Sequence, residues 1–149
     1  MPKSTHLPLL RLEHKRLMNA LEKYDLIGVM EKYFPRSDGW SWGLLINKTR
    51  RAWRYRGGHV QGRVFFQPKI VQLSTNLLEH ERVADTRQLI LHTILHEYAH
   101  WVQWSATGRS DHDKDFFTIL HDLEYDEKCL YKQYKVGVTL PMAGSVVRA

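Results

Sequence analysis

Between residues 96 and 100 the chain reads His96-Glu97-Tyr98-Ala99-His100. Two imidazoles four residues apart on a helix leave the same face one turn from each other, so both can reach one tetrahedral Zn²⁺ at ~2.0–2.1 Å. Glu97 follows the first of them, and its ~100° offset puts the carboxylate beside such an ion rather than on it. From there it can take a proton from water whose pKa zinc lowers toward ~7, and pass it to a leaving amine. Nine His and eight Glu in 149 residues give a chance match of about 0.03 before any helix is required, so the motif is informative. The alternative, a buried helix carrying surface histidines, leaves two imidazoles and an acid in an apolar segment with nothing to pair with.

A catalytic zinc site needs a third protein ligand and an open position. His112 fits, because a reversal at Gly108 would return the chain over the His96/His100 face; Glu124, Asp122 and His121 are the rivals. His92, a turn before His96, would crowd a tetrahedral ion, which suits a pocket-wall or ligand-orienting role. Asp111, Asp113 and Asp115 suit a helix N-terminus, and Asp111 or Asp113 could also orient a ligand imidazole. Spacing assigns no transition-state donor, with Tyr131, Tyr134 and Arg109 as candidates. Cys129 is the single cysteine, which excludes an intramolecular disulfide and any cysteine zinc ribbon.

These side chains need a scaffold. From Pro8 to Tyr33, Leu10, Leu17, Leu21, Tyr24 and Ile27 recur at helical spacing, which predicts one or two amphipathic helices ended by Pro35 and Ser37-Asp38-Gly39. Alternation at Trp40, Trp42, Leu44 and Ile46, then Trp53 and Tyr55, Val64 to Phe66 and Ile70 to Leu73 predicts three or four strands. Asp85 and Gln88 resemble a capping box before a helix from Arg87 to about Ser105. On it Leu91, Ile94, Tyr98, Trp101 and Val102 share one side, and His92, His96, His100 and Gln103 the other. After Gly108, Ser110 or Asp111 can cap a second helix bearing Phe116, Leu120 and Leu123, running on toward Leu130 and Tyr134. The reading is one α+β domain over residues 1–135 and a tail, 136–149, partly disordered.

Net charge is +6, and it is unevenly spread: residues 1–70 hold 14 Lys+Arg and 5 Asp+Glu, the remainder 8 and 11. The segment Lys48 to Arg56 interleaves Arg50, Arg51, Arg54 and Arg56 with Trp53 and Tyr55. On a strand, Arg50, Arg54 and Arg56 share one face; the functional reading is contact with phosphates and stacking on unpaired DNA bases, the plain one a solvated basic face over a packed aromatic one. Trp101 and Trp104 read as packing residues, His59 as a turn residue. No stretch is apolar enough for a membrane span and the N-terminus lacks a secretory core, so the expectation is a cytoplasmic or nucleoid-associated monomer acting on protein.

The chain resembles the SprT-like zinc metallopeptidases, which include bacterial SprT and the Spartan DNA–protein crosslink proteases. The likeness rests on Thr93-Ile94-Leu95 leading into His96-Glu97-Tyr98-Ala99-His100, on His112 with Phe116 four residues later, and on Ile70-Val71-Gln72-Leu73-Ser74 followed by Asn76-Leu77-Leu78. It covers about residues 10–130. It implies His96, His100 and His112 as zinc ligands, Glu97 as base, and a zincin-like α+β fold of N-terminal helices, small sheet, metal helix and a following helix. For some members it implies proteolysis near DNA. Asp113 stands where the family often has Gly, and the cysteine ribbon that often supplies nucleic-acid contacts is missing. Two functions follow as expectations: a zinc endopeptidase, with DNA-associated proteins among its substrates, or a basic nucleic-acid- or partner-binding module whose zinc is structural or inactive.

Overall fold

Leu17, Ala20 and Leu21, at three- and four-residue spacing, are buried along one stripe of α1 (Pro2–Lys23). Asp25, at φ 58°, turns the chain into the short helix α2 (Ile27–Tyr33), whose Met30 and Tyr33 are buried. The structure, a computed structural model, describes residues 2–46, 61–79 and 86–129, with side chains for 11–46, 61–78 and 86–129. Arg50, Arg51, Trp53, Arg54, Tyr55, Arg56, His59, Asp85, Tyr131, Tyr134 and the 136–149 tail lie outside the described residues.

Pro35 opens a single 3-10 turn, Arg36–Asp38, and Gly39 at φ 95° closes it, a conformation open to glycine because it lacks a Cβ. The chain then enters β1 (Ser41–Leu45), where Trp42 and Leu44 face inward. Trp42 is oriented by its indole N–H, which donates to the Phe34 carbonyl at 2.8 Å. Strands β2 (Gly62–Phe66) and β3 (Lys69–Ser74) form an antiparallel hairpin turning at Gln67-Pro68. Sheet order is β1-β3-β2, with β1 parallel to β3 in the register Trp42↔Val71 and Leu44↔Leu73. Three strands are thus present among the described residues, matching the expected Trp40, Val64 and Ile70 segments.

Ser74 leaves the sheet and its hydroxyl accepts the Asn76 N–H at 3.0 Å, opening the one-turn helix α3 (Thr75–Glu79). Next comes α4 (Thr86–Thr107), in which no Gly or Pro intervenes. It ends where Gly108, at φ 77°, donates its N–H to the Trp104 carbonyl at 2.8 Å. Helix α5 (Lys114–Glu127) is capped by Asp113, which accepts the Phe116 N–H at 3.0 Å, rather than by Ser110 or Asp111. It also stops short of Leu130: Lys128 adopts the left-handed conformation at φ 56° and breaks the helical ladder.

The core runs between α1, α2, the sheet, α4 and α5, filled by Leu17, Leu21, Leu26, Met30, Phe34, Leu73, Leu77, Ile94, Leu95 and Phe116. Burial of α4 is wider than the two-sided reading expected: Ile90, Leu95 and Ala99 are buried along with Leu91 and Ile94, because sheet and helices enclose it on several sides. Its start is tied to the end of α1, where the Arg87 guanidinium donates to the carbonyls of Tyr24 at 2.7 Å and Asp25 at 3.2 Å. Its far end packs through Trp101 and Trp104 on Trp40 and Phe66, as packing residues would. Among the described residues the architecture is α+β, five α-helices with a small mixed sheet.

Candidate metal centre

Helical spacing presents His96 and His100 from consecutive turns of α4, and the Gly108 reversal returns the chain so that His112 faces them. The Nε2 atoms of His100 and His112 lie 3.1 Å apart, those of His96 and His112 3.2 Å apart. Four-coordinate ligand atoms at ~2.0–2.1 Å from an ion stand roughly 3.3–3.4 Å from one another, so the three nitrogens have the spacing of a chelating set. Phe116, fully buried, backs all three rings, with centroids 4.4 Å from His100 and 5.0 Å from His96 and His112.

Protonation suits the same use. Desolvation, then the neighbouring imidazoles, hold His96 well below the ordinary histidine range. Desolvation also takes His100 down to about 4 and lowers His112, Asp111 opposing it in both. Near neutral pH the three rings therefore offer lone pairs instead of charge. The Ser110 hydroxyl lies 3.0 Å from His100 Nδ1, where its oxygen can accept the ring N–H and leave Nε2 as the free acceptor. His112 is exposed, leaving the point where the nitrogens meet accessible from outside. An all-imidazole set suits a borderline cation such as zinc.

Glu97 is buried beside this set, and burial alone raises its carboxyl to about 8. Gly62 of β2 accounts for its surroundings. A Cβ there would come within 2.9 Å of Thr93 Cγ2, 3.1 Å of the Gln72 carbonyl and 3.3 Å of Glu97 Cγ. Only glycine lets β2 lie this close to α4, against the stem of Glu97.

His112 is held from both sides by a residue that sequence reasoning placed on the histidine face without giving it a role. Gln103, buried on α4, accepts the Asp111 N–H at 2.8 Å and donates to Asp113 Oδ1 at 2.8 Å. Its position three residues after His100 was the available signal. Arg109 spans the same turn, donating to Asp111 at 2.9 Å and Asp113 at 3.0 Å, and so serves the loop that carries His112. Both aspartates thus meet Arg109 and hold that loop, and the hydroxyl at His100 Nδ1 is that of Ser110.

The rivals for third place lie elsewhere. Glu124 is buried with its Oε2 at 2.5 Å from His92 Nδ1, while Asp122 and His121 are exposed. His92 neighbours the trio, its ring centroid 6.1 Å from that of His96.

The SprT-like family model matches residues 30–136, most of the chain, and includes β1 to β3, α4, the His112 turn and α5. The chain belongs to the SprT-like family. Membership agrees with the resemblance read from the motifs and with a metallopeptidase-like domain. No curated protein and no solved structure gives a significant match. Among the described residues, no helix of this SprT-like chain is long and apolar enough to cross a membrane.

Proposed function

We propose that the protein is a zinc-dependent endopeptidase in which His96, His100 and His112 hold the ion and Glu97 is the general base. The observation that carries this reading is the convergence of three imidazole nitrogens, two of them from the helix that also carries the buried Glu97. Bound there, zinc would act as a Lewis acid toward a peptide carbonyl and lower the pKa of water toward ~7. The chain's own groups do the rest. A Glu97 carboxylate oxygen accepts the proton of the attacking water and delivers it to the leaving amine. The backbone of Gly62 lies against the Glu97 stem, which limits its movement before substrate arrives. Ser110 and Phe116 hold the imidazoles at one register, and Gln103 fixes the turn that carries His112.

Support for the substrate class comes from charge: the excess of Lys and Arg in residues 1–70 favours proteins held on DNA, with Arg50, Arg51, Arg54 and Arg56 as the proposed contacts. Glu97→Gln removes the base at nearly constant shape. Its expected result is unchanged zinc content with hydrolysis of an unfolded protein substrate reduced on the order of 10²–10⁴-fold. Equal activity in the variant would remove Glu97 from the reaction.

A further inference from the structure

A second cluster lies one turn N-terminal to the first along α4, and its donors differ in kind. His92 comes from α4, Glu124 from the last turns of α5, and Cys129 from just beyond α5. Their ligand atoms, an imidazole nitrogen, a carboxylate oxygen and the thiol sulfur, all lie within 4.8 Å of one another. The left-handed turn at Lys128 produces this meeting: it sends the Cys129 N–H back onto the Glu124 carbonyl at 2.9 Å and so turns the next residue inward. Glu124 and Cys129 are both buried, and His92 Nδ1 stands 2.5 Å from Glu124 Oε2. The thiol is 3.7 Å from the Gln88 carbonyl, a further oxygen at the edge of the cluster.

We propose that His92, Glu124 and Cys129 form a second divalent-cation site, separate from the imidazole trio, that takes a thiophilic ion of the zinc class. Sulfur, nitrogen and oxygen donors together select zinc or cobalt over magnesium or calcium, which take oxygen alone. Binding exchanges one proton for the ion: the thiol loses its proton to solvent, while the His92–Glu124 hydrogen bond gives way and the imidazole keeps its N–H on the nitrogen turned away from the cation. The ion then pins the end of α5 to α4, in a helix whose N-terminus adjoins His112. This inference does not depend on peptidase activity.

Cys129 is the single cysteine and the first set contains histidines only, so sulfur-to-cobalt charge transfer reports the second site alone. The metal-free full chain is titrated with Co²⁺ while near-ultraviolet absorption, visible absorption and thiol reactivity toward a disulfide reagent are followed. Expected are two equivalents bound, a thiolate charge-transfer band that saturates with one of them, and slowing of the thiol by at least tenfold. The band should persist in His96→Ala, which weakens the first site. It should require at least tenfold more Co²⁺ in His92→Gln and Glu124→Gln, each checked for folding by circular dichroism. Cys129→Ser should abolish it. One equivalent without the band overturns the proposal, as does a band whose midpoint is the same in folded His92→Gln and Glu124→Gln, since the thiol would then bind cobalt unaided. Should a variant fail to fold, the wild-type band and thiol protection decide the outcome.

Discussion

His92 and His96 stand one turn apart on the same side of α4, yet their surroundings differ in kind. His96 meets imidazole nitrogens and the ring of Phe116, with no carboxylate hydrogen bond to it among the described residues. His92 meets a buried carboxylate at hydrogen-bond distance. Three neutral rings can pair N–H to N only in part where their Nε2 atoms converge, whereas a cation would use all three lone pairs at once. A mixed set can share a proton internally, so an ion there is an exchange for an existing hydrogen bond. By this logic a cation would complete the first set, whereas at the proposed second site it would displace a hydrogen bond.

The largest expected effect separates the two directly. His96→Ala should lose the ion of the imidazole centre and reduce hydrolysis to background, whereas His92→Gln should keep that ion, with metal content read by mass spectrometry. Equal loss in both variants would merge the two histidines into one site and end the comparison.

A smaller effect tests the support of the like-donor set. Gln103→Ala leaves the Asp111 N–H without its acceptor and takes one of two donors from Asp113 Oδ1, which keeps the Phe116 N–H; this should cost about 1–3 kcal/mol in urea unfolding and weaken metal retention through His112. The mixed cluster should be untouched. Ser110→Ala removes only the partner of His100 Nδ1, and a fall of roughly 10–100-fold in zinc affinity is expected from competition with a chelating dye. An unchanged affinity would assign the ring's orientation to Phe116 alone.

The pH dependence of the metal-free protein gives the finest test. His100 titrates near 4 in the fold against an ordinary 6.5, with His96 and His112 also lowered, so as pH falls below 6.5 the unfolded chain binds protons that the folded one refuses. Stability from this centre therefore declines on the acid side. Glu97 has the opposite sign: raised to about 8, its contribution is full below 4.5 and is lost as pH rises through 8. Three histidines outweigh one glutamate below 6.5, so the centre's contribution should peak near that pH in urea midpoints at pH 5, 6.5 and 8.5. Bound zinc should shrink the alkaline loss, because a cation beside Glu97 favours its ionised form.

Local periodicity made much of this readable. Strands at Trp40, Val64 and Ile70, the long helix and the His96/Glu97/His100 face all follow from residues within one or two turns of each other, where backbone geometry alone decides direction. Even His112 was within reach, twelve residues and one glycine turn away. The cap of α5 was misplaced because Ser110, Asp111 and Asp113 all carry cap-forming oxygens, and the choice among them was made by Gln103 and Arg109 holding the turn. The early end of α5 followed from Lys128, a residue type with no breaking tendency of its own.

What the sequence determined by itself was thus the His96/Glu97/His100 face and the family it points to, since ligand types at helical spacing admit few uses. What tertiary structure decided was the company each group keeps: Glu124 with His92 instead of the trio, Ser110 instead of an aspartate on His100, Gly62 against Glu97, Cys129 folded back beside Glu124. Two of those pairs, Glu124 with His92 and Gly62 with Glu97, join segments far apart in the chain, and no short-range period records which distant segments will share a buried space once the apolar core closes.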